Sequence, residues 1–197
     1  MEFNVGGGRY NPGMRKTILA AALLAAAVTA DAATVAGVKV DDSITVNNQT
    51  LLLNGAALRK KFVVKVYVGS LYLTSKQTSA ASILAADTPR RQVMHFLYDV
   101  DKEKMVEAWT DGLRDNTPNA SPEVKTAFKT LSSWMEDMKE GQTIVLTYVP
   151  GIGTTVDVAG KNKGTLGGKA VADAILNTWI GPKPGPGGDF KKGVLGQ

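Results

Sequence analysis

From Lys61 to Leu73 the chain reads KFVVKVYVGSLYL. β-Branched and aromatic residues dominate this run, the composition of a long strand or a bent pair of strands. Side chains along a strand alternate between two faces. One parity holds Val63, Lys65, Tyr67, Leu71 and Leu73; the other holds Phe62, Val64, Val66, Val68 and Tyr72. Both sets are mostly apolar, so both faces of the strand are expected to be covered. Gly69-Ser70 interrupts the bulk, marking either a bulge or a place where something approaches the backbone closely.

The flanking segments extend this picture. Val38–Val46 and Gln49–Leu53 read as strands around Asn47-Asn48, a turn pair that tolerates positive φ. Residues 79–86 suggest a short helix before Pro89, and Arg91–Tyr98 a further strand. Asp101 is placed to cap a helix to about Asn116, with Met105, Ala108, Trp109 and Leu113 at helical spacing. Ser121-Pro122 opens another helix, whose stripe Val124, Phe128, Leu131, Met135 and Met138 runs towards Gly141. Three short strands are expected at 143–149, 154–158 and 164–166, then a helix over 171–180 ended by Gly181-Pro182. A Pro/Gly loop at 184–188 and a short amphipathic tail close the chain. The expected class is α+β: one large antiparallel sheet with helices packed against it.

The first 32 residues stand apart. Arg15 and Lys16 precede an apolar run from Thr17 to Thr29, and Ala30-Asp31-Ala32 gives the small-x-small pattern of a signal-peptidase site. The run is shorter than the roughly 20 residues that span a bilayer. A cleaved secretory signal at 14–32 is therefore expected, with cleavage near Ala32–Ala33 and a periplasmic or secreted product. Residues 1–13 fit no part of a signal and read as a non-native or misread extension. Residues 33–197 then form one domain, long enough for a substantial core, with no stable membrane insertion after cleavage.

Composition removes several kinds of chemistry. The chain has no cysteine and one histidine, so disulfides, thiol catalysis, Cys-ligated zinc and histidine metal cages are out. No metal or cofactor is expected. A net charge of +5 with lysines scattered among acids argues against nucleic acid. His95, mid-strand, is the one imidazole for a catalytic triad, and no nucleophile elbow accompanies it; from the residues alone it reads first as a hydrogen-bonded core histidine. Arg59 precedes the long apolar run. It is either an exposed member of the Arg59-Lys60-Lys61 cluster or a guanidinium able to hold a carboxylate or enolate through charge-assisted hydrogen bonds.

The stretch NGAALRKKFVVKVYVGSLYLT resembles the segment of chalcone isomerases and plant fatty-acid-binding relatives in which Gly-x-x-x-Arg leads into a strand. GKAVADAILNTWIG resembles their late helix, with Lys-Ala-Val and Leu-x-Thr-x-Ile-Gly; VPGIGTTVDVAGKNKGT and WIGPKP resemble exported bacterial members. The resemblance spans nearly all of 33–197. It implies an open-faced β-sandwich with a ligand cleft between sheet and helical layer. In the enzymes a strand arginine stabilises an enolate as a phenolate adds across an enone. By motif, Arg59 matches that arginine and Thr178 the threonine of the late helix. Ungapped spacing places Tyr67 at the enzymes' strand threonine, His95 near their lysine, Lys104 near their tyrosine and Asp111 near their asparagine. A carboxylate there would repel an enolate and compete for Arg59.

The resemblance therefore implies a non-catalytic binder of a fatty acid or other small apolar acid, held by Arg59, Tyr67, His95, Lys104, Asp111 and Thr178. The alternative is an intramolecular lyase acting on a chalcone-like enone, with Arg59 and Thr178 catalytic. A scaffold role is a third reading. The oligomeric state is left open.

Overall fold

The computed structural model describes residues 1–4, 6 and 33–197. The expected signal at 14–32 and most of the leader at 1–13 lie outside the described residues. The fold begins with a small hairpin of β1 (Ala33–Val35) and β2 (Val38–Val40). Seven strands then form one antiparallel sheet in chain order: β3 (Ser43–Val46), β4 (Gln49–Lys61), β5 (Val64–Leu73), β6 (Arg90–Phe96), β7 (Thr143–Val149), β8 (Gly153–Val158) and β9 (Lys161–Leu166). Helices α1 (Ala80–Ala85), α2 (Lys102–Asn116) and α3 (Pro122–Ser133) interrupt the meander. Helices α4 (Lys169–Ile180) and α5 (Gly188–Val194) follow it.

Both faces of β5 are covered, as its two apolar parities require. Leu71, Met94, Phe96, Ile144, Leu146, Val156 and Val158 share one buried cluster with Trp109, Phe128, Leu131, Ile175, Trp179 and Phe190 of the helices. Burying each such side chain contributes about 1.5–3 kcal/mol. On the opposite face, Val68 and Tyr72 pack with Leu51, Val46 and the first hairpin's Val38 and Val40. The Tyr72 hydroxyl donates to the Asp41 carbonyl at 3.0 Å, tying that hairpin down.

Several boundaries differ from the sequence reading. The expected strand over 38–46 is two strands, broken at Asp41-Asp42. The Asn47-Asn48 turn forms with φ of 46° and 60°. Strand β4 does not stop at Leu53 but runs to Lys61, so Arg59 lies inside a strand, opposite Tyr67. The apolar run instead turns at Phe62-Val63, where Lys61 pairs with Val64. Helix α3 ends at Ser133 rather than near Gly141. Met135 and Met138 keep the buried spacing, but Met138 bridges to Val100 in extended form. Asp101 caps α2 by position, but its carboxylate bonds the Lys104 ammonium rather than a backbone N–H; the Lys102 N–H donates to Asp137.

Candidate functional site

The β4–β5 ladder carries two irregularities that shape one end of the helix-covered face. Pairing jumps from Leu53↔Tyr72 to Gly55↔Leu71, leaving Asn54 unpaired, and from Arg59↔Tyr67 to Lys60↔Lys65, leaving Val66 unpaired. Such bulges re-aim side chains. After the second one, Val64, Val66 and Tyr67 all line one cleft, which strict alternation would forbid. The first seats the chain's end. Asn54 Nδ2 donates to the Val194 carbonyl at 2.8 Å, and its Oδ1 accepts from the Gln77 N–H at 2.7 Å.

Helix α5 lies across this end of the sheet because small residues let it. A Cβ on Gly55 would strike the Gly193 carbonyl, and one on Gly69 would strike the Phe190 ring. The close approach expected at Gly69-Ser70 is thus the seat of Phe190. Tyr67, Trp179 and Phe190 form an aromatic cluster, with Tyr67 stacked on Trp179 at 6.3 Å and Phe190 edge-on to both. The loop before α5 reaches Arg59, whose Nη1 donates to the Gly185 carbonyl at 2.6 Å.

Helices α2 and α4 supply the facing wall. They cross closely at Gly112, where a Cβ would sit 2.9 Å from the Thr178 side chain. The Thr178 hydroxyl is turned into its own helix and donates to Ile175 O at 2.8 Å. Asn116 locks the ends of the two helices to the following loop. Its Nδ2 donates to Gly112 O and Lys183 O, its Oδ1 accepts from Lys183 N, and its own carbonyl accepts from Asn177 Nδ2. Nothing in the motif comparison pointed to Asn116; a buried polar residue at a helix end was the available signal.

Between these walls lies a cleft of about 600 Å³, within the range that holds a small ligand. It brings together Arg59, Tyr67, Lys104, Asp111 and Thr178. His95 is not among its lining residues. It pairs with Val68 and Thr143, sharing its parity with Val93 of the opposite face. Met94, one residue earlier, takes the cleft position that spacing had assigned to His95. Val66, Met105 and Trp109 add to the apolar lining.

The charged groups sort by their partners. Lys104 pairs with Asp101 at 2.7 Å, both well exposed. Asp111 pairs with Arg114 at 2.6 Å on the outer rim, so its carboxylate is held there rather than at Arg59. Arg59 is half-buried and has no carboxylate partner among the described residues. Burial pushes the Tyr67 phenol well above the ordinary tyrosine range, with the Arg59 charge and the Trp179 side chain pulling the other way. The phenol therefore stays protonated and available as a donor.

Comparison with known proteins matches residues 32–196 to the profile of a family described as chalcone isomerase-like. No curated protein sequence matches. Among solved structures, a fatty-acid binding protein of Arabidopsis thaliana has a TM-score of 0.61 at 19% identity, covering 81% of this chain and 92% of that one. That likeness concerns the fold, an α+β arrangement with a seven-stranded antiparallel sheet under helices.

Proposed function

The chain belongs to the chalcone isomerase-like family, and from that premise we propose that it is a non-catalytic binder of a fatty acid or another small apolar acid. The observation that carries the reading is Arg59: a half-buried guanidinium facing a mostly apolar cleft, engaged by one carbonyl and, among the described residues, by no carboxylate. A guanidinium stays charged at all relevant pH and offers five donors in a planar fork. One donor goes to Gly185, leaving others for a carboxylate in surroundings where such bonds are stronger than in water. The Tyr67 phenol lies on the same strand pair and can add a second donor. The apolar tail would run between Val66, Met94, Met105 and Trp109. The solved relative's description as a fatty-acid binding protein supports the ligand class. We place the working protein in the periplasm or outside the cell, on the strength of the Arg15–Ala32 signal pattern.

Gentle purification from the native host followed by non-denaturing mass spectrometry tests this reading. It predicts a co-purifying apolar acid, and dodecanoate uptake by stripped protein in titration. Empty protein that also takes up no dodecanoate overturns it. The isomerase alternative has one observation in its favour: Arg59 and Thr178 line the same cleft. Chalcone cyclisation that collapses in Arg59→Ala would establish that alternative; equal background rates in both proteins would remove it.

A further inference from the structure

The β4–β5 hairpin ends in two large apolar residues that touch almost nothing. Phe62 is 94% exposed and Val63 93%. Phe62 also takes a φ of 55°, a conformation hairpin turns normally give to Gly, Asn or Asp. A bulky residue there is a backbone outlier, and such strain persists where the site has a use for the side chain. Lys60, Lys61 and Lys65 bracket the tip, all exposed, and none has an ion-pair partner among the described residues. The chain carries no carboxylate at all between Asp42 and Asp87. Phe62 and Lys61 also border the cleft mouth, as does Tyr98, itself 56% exposed.

We infer that this tip docks on the surface of an anionic phospholipid bilayer, with Phe62 and Val63 entering the headgroup boundary and the three lysines meeting the lipid phosphates and carboxylates. Paired apolar and basic side chains are what interfacial binding uses, and Tyr sits readily at that depth. Charge decides against a second copy of the chain as the occupant. A twofold contact would set the Lys60-Lys61-Lys65 cluster against itself. On the opposite rim of the cleft, Asp99, Asp111 and Asp115 are each paired with a basic neighbour, as is the nearby Asp101; Glu107 alone of the cleft's carboxylates has no ion-pair partner among the described residues, and it stands against three unpaired lysines at the tip. Docking in this pose sets the cleft mouth at the membrane, where an apolar acid would enter or leave without crossing water. The docking itself does not depend on what the cleft holds.

The chain has no native cysteine, so Val63→Cys carries a single polarity-sensitive dye. Ile152→Cys, on the exposed turn at the far end of the sheet, is the position control. With phosphatidylcholine–phosphatidylserine vesicles the dye at 63 should shift to the blue and the dye at 152 should not. The shift should weaken in high salt and vanish on pure phosphatidylcholine. Each lysine contributes roughly fivefold to vesicle affinity, so K60E/K61E/K65E should lose more than about 100-fold. No shift at 63, equal shifts at both positions, equal binding to neutral vesicles, or unchanged binding by the triple variant would each overturn the proposal. A shift that follows protein concentration without vesicles would do the same, by assigning the tip to another copy.

Discussion

Arg90 and Arg59 both point from the sheet towards the helices, one in the closed part of the core and the other in the cleft. Arg90 is 3% exposed; its Nη2 meets Asp173 at 2.5 Å, and its guanidinium lies 4.9 Å from the centroid of the Tyr148 ring. Lys169 holds the other oxygen of Asp173 at 2.6 Å, and Tyr148 donates to Asp87 at 2.6 Å. That arginine is spent on the fold. Among the described residues Arg59 bonds a single loop carbonyl, and it lines the cleft. One sheet thus carries a guanidinium whose carboxylate is built in and another with no carboxylate partner among the described residues.

The sharpest way to break this contrast is to remove each guanidinium and measure unfolding by urea. Arg90→Met should cost about 3 kcal/mol, because Asp173 keeps Lys169 but loses its buried partner. Arg59→Met should cost less than about 1 kcal/mol, the worth of one partly exposed hydrogen bond. Equal costs would mean that Arg59 is structural too. Next in size is Gly112→Ala, which wedges a methyl against Thr178 and should destabilise by about 1–3 kcal/mol while changing ligand affinity. An effect on stability with none on affinity would show that the α2–α4 crossing does not shape the cleft.

Tyr67 sharpens the cleft side through pH. Its folded-state pKa is raised above the unfolded value of 10.0, chiefly by burial. Below pH 10 both states keep the proton and the group adds no pH dependence. Above it the unfolded chain releases the proton first, so stability falls as pH rises, by about 1.4 kcal/mol per unit once the unfolded phenol is ionised. Tyr72 and Tyr148, each pushed to about 12, add slope of the same sign. Urea unfolding at pH 9 and pH 11 should show a smaller loss in Tyr67→Phe; identical losses would contradict its burial. The smallest effect belongs to Asp111→Asn. With its charge exposed and already paired to Arg114, removal should tighten dodecanoate binding only two- to fivefold in titration.

The sheet and its helical cover were legible because alternation and helical spacing are local signals. The cleft was only partly so. Nothing in Phe62-Val63 announces a turn, since neither residue is a turn former, and so the hairpin and the position of Arg59 within β4 were missed. The bulge at Asn54 seats the end of α5, a contact across 140 residues that no window of sequence contains, and the bulge at Val66 carries no local sequence mark. His95 was misplaced because counting residues cannot fix a strand's parity, and a shift of one exchanges the two faces. The end of α3 was missed because Met135 and Met138 keep helical spacing while serving a different backbone. The motif readings at Arg59 and Thr178 do lead to one cleft, since each is anchored to a short pattern rather than to a count.

Discrimination between an acid and its ester isolates the carboxylate contact proposed for Arg59. Dodecanoic acid and its methyl ester differ at the headgroup and share the tail. Titration calorimetry should show the wild-type chain preferring the acid by about 10–100-fold, the worth of hydrogen bonds to a charged group. Arg59→Gln should lose most of that preference while binding the ester nearly as before. A preference that survives in Arg59→Gln, or wild-type protein that binds acid and ester alike, would rule out a carboxylate held by Arg59.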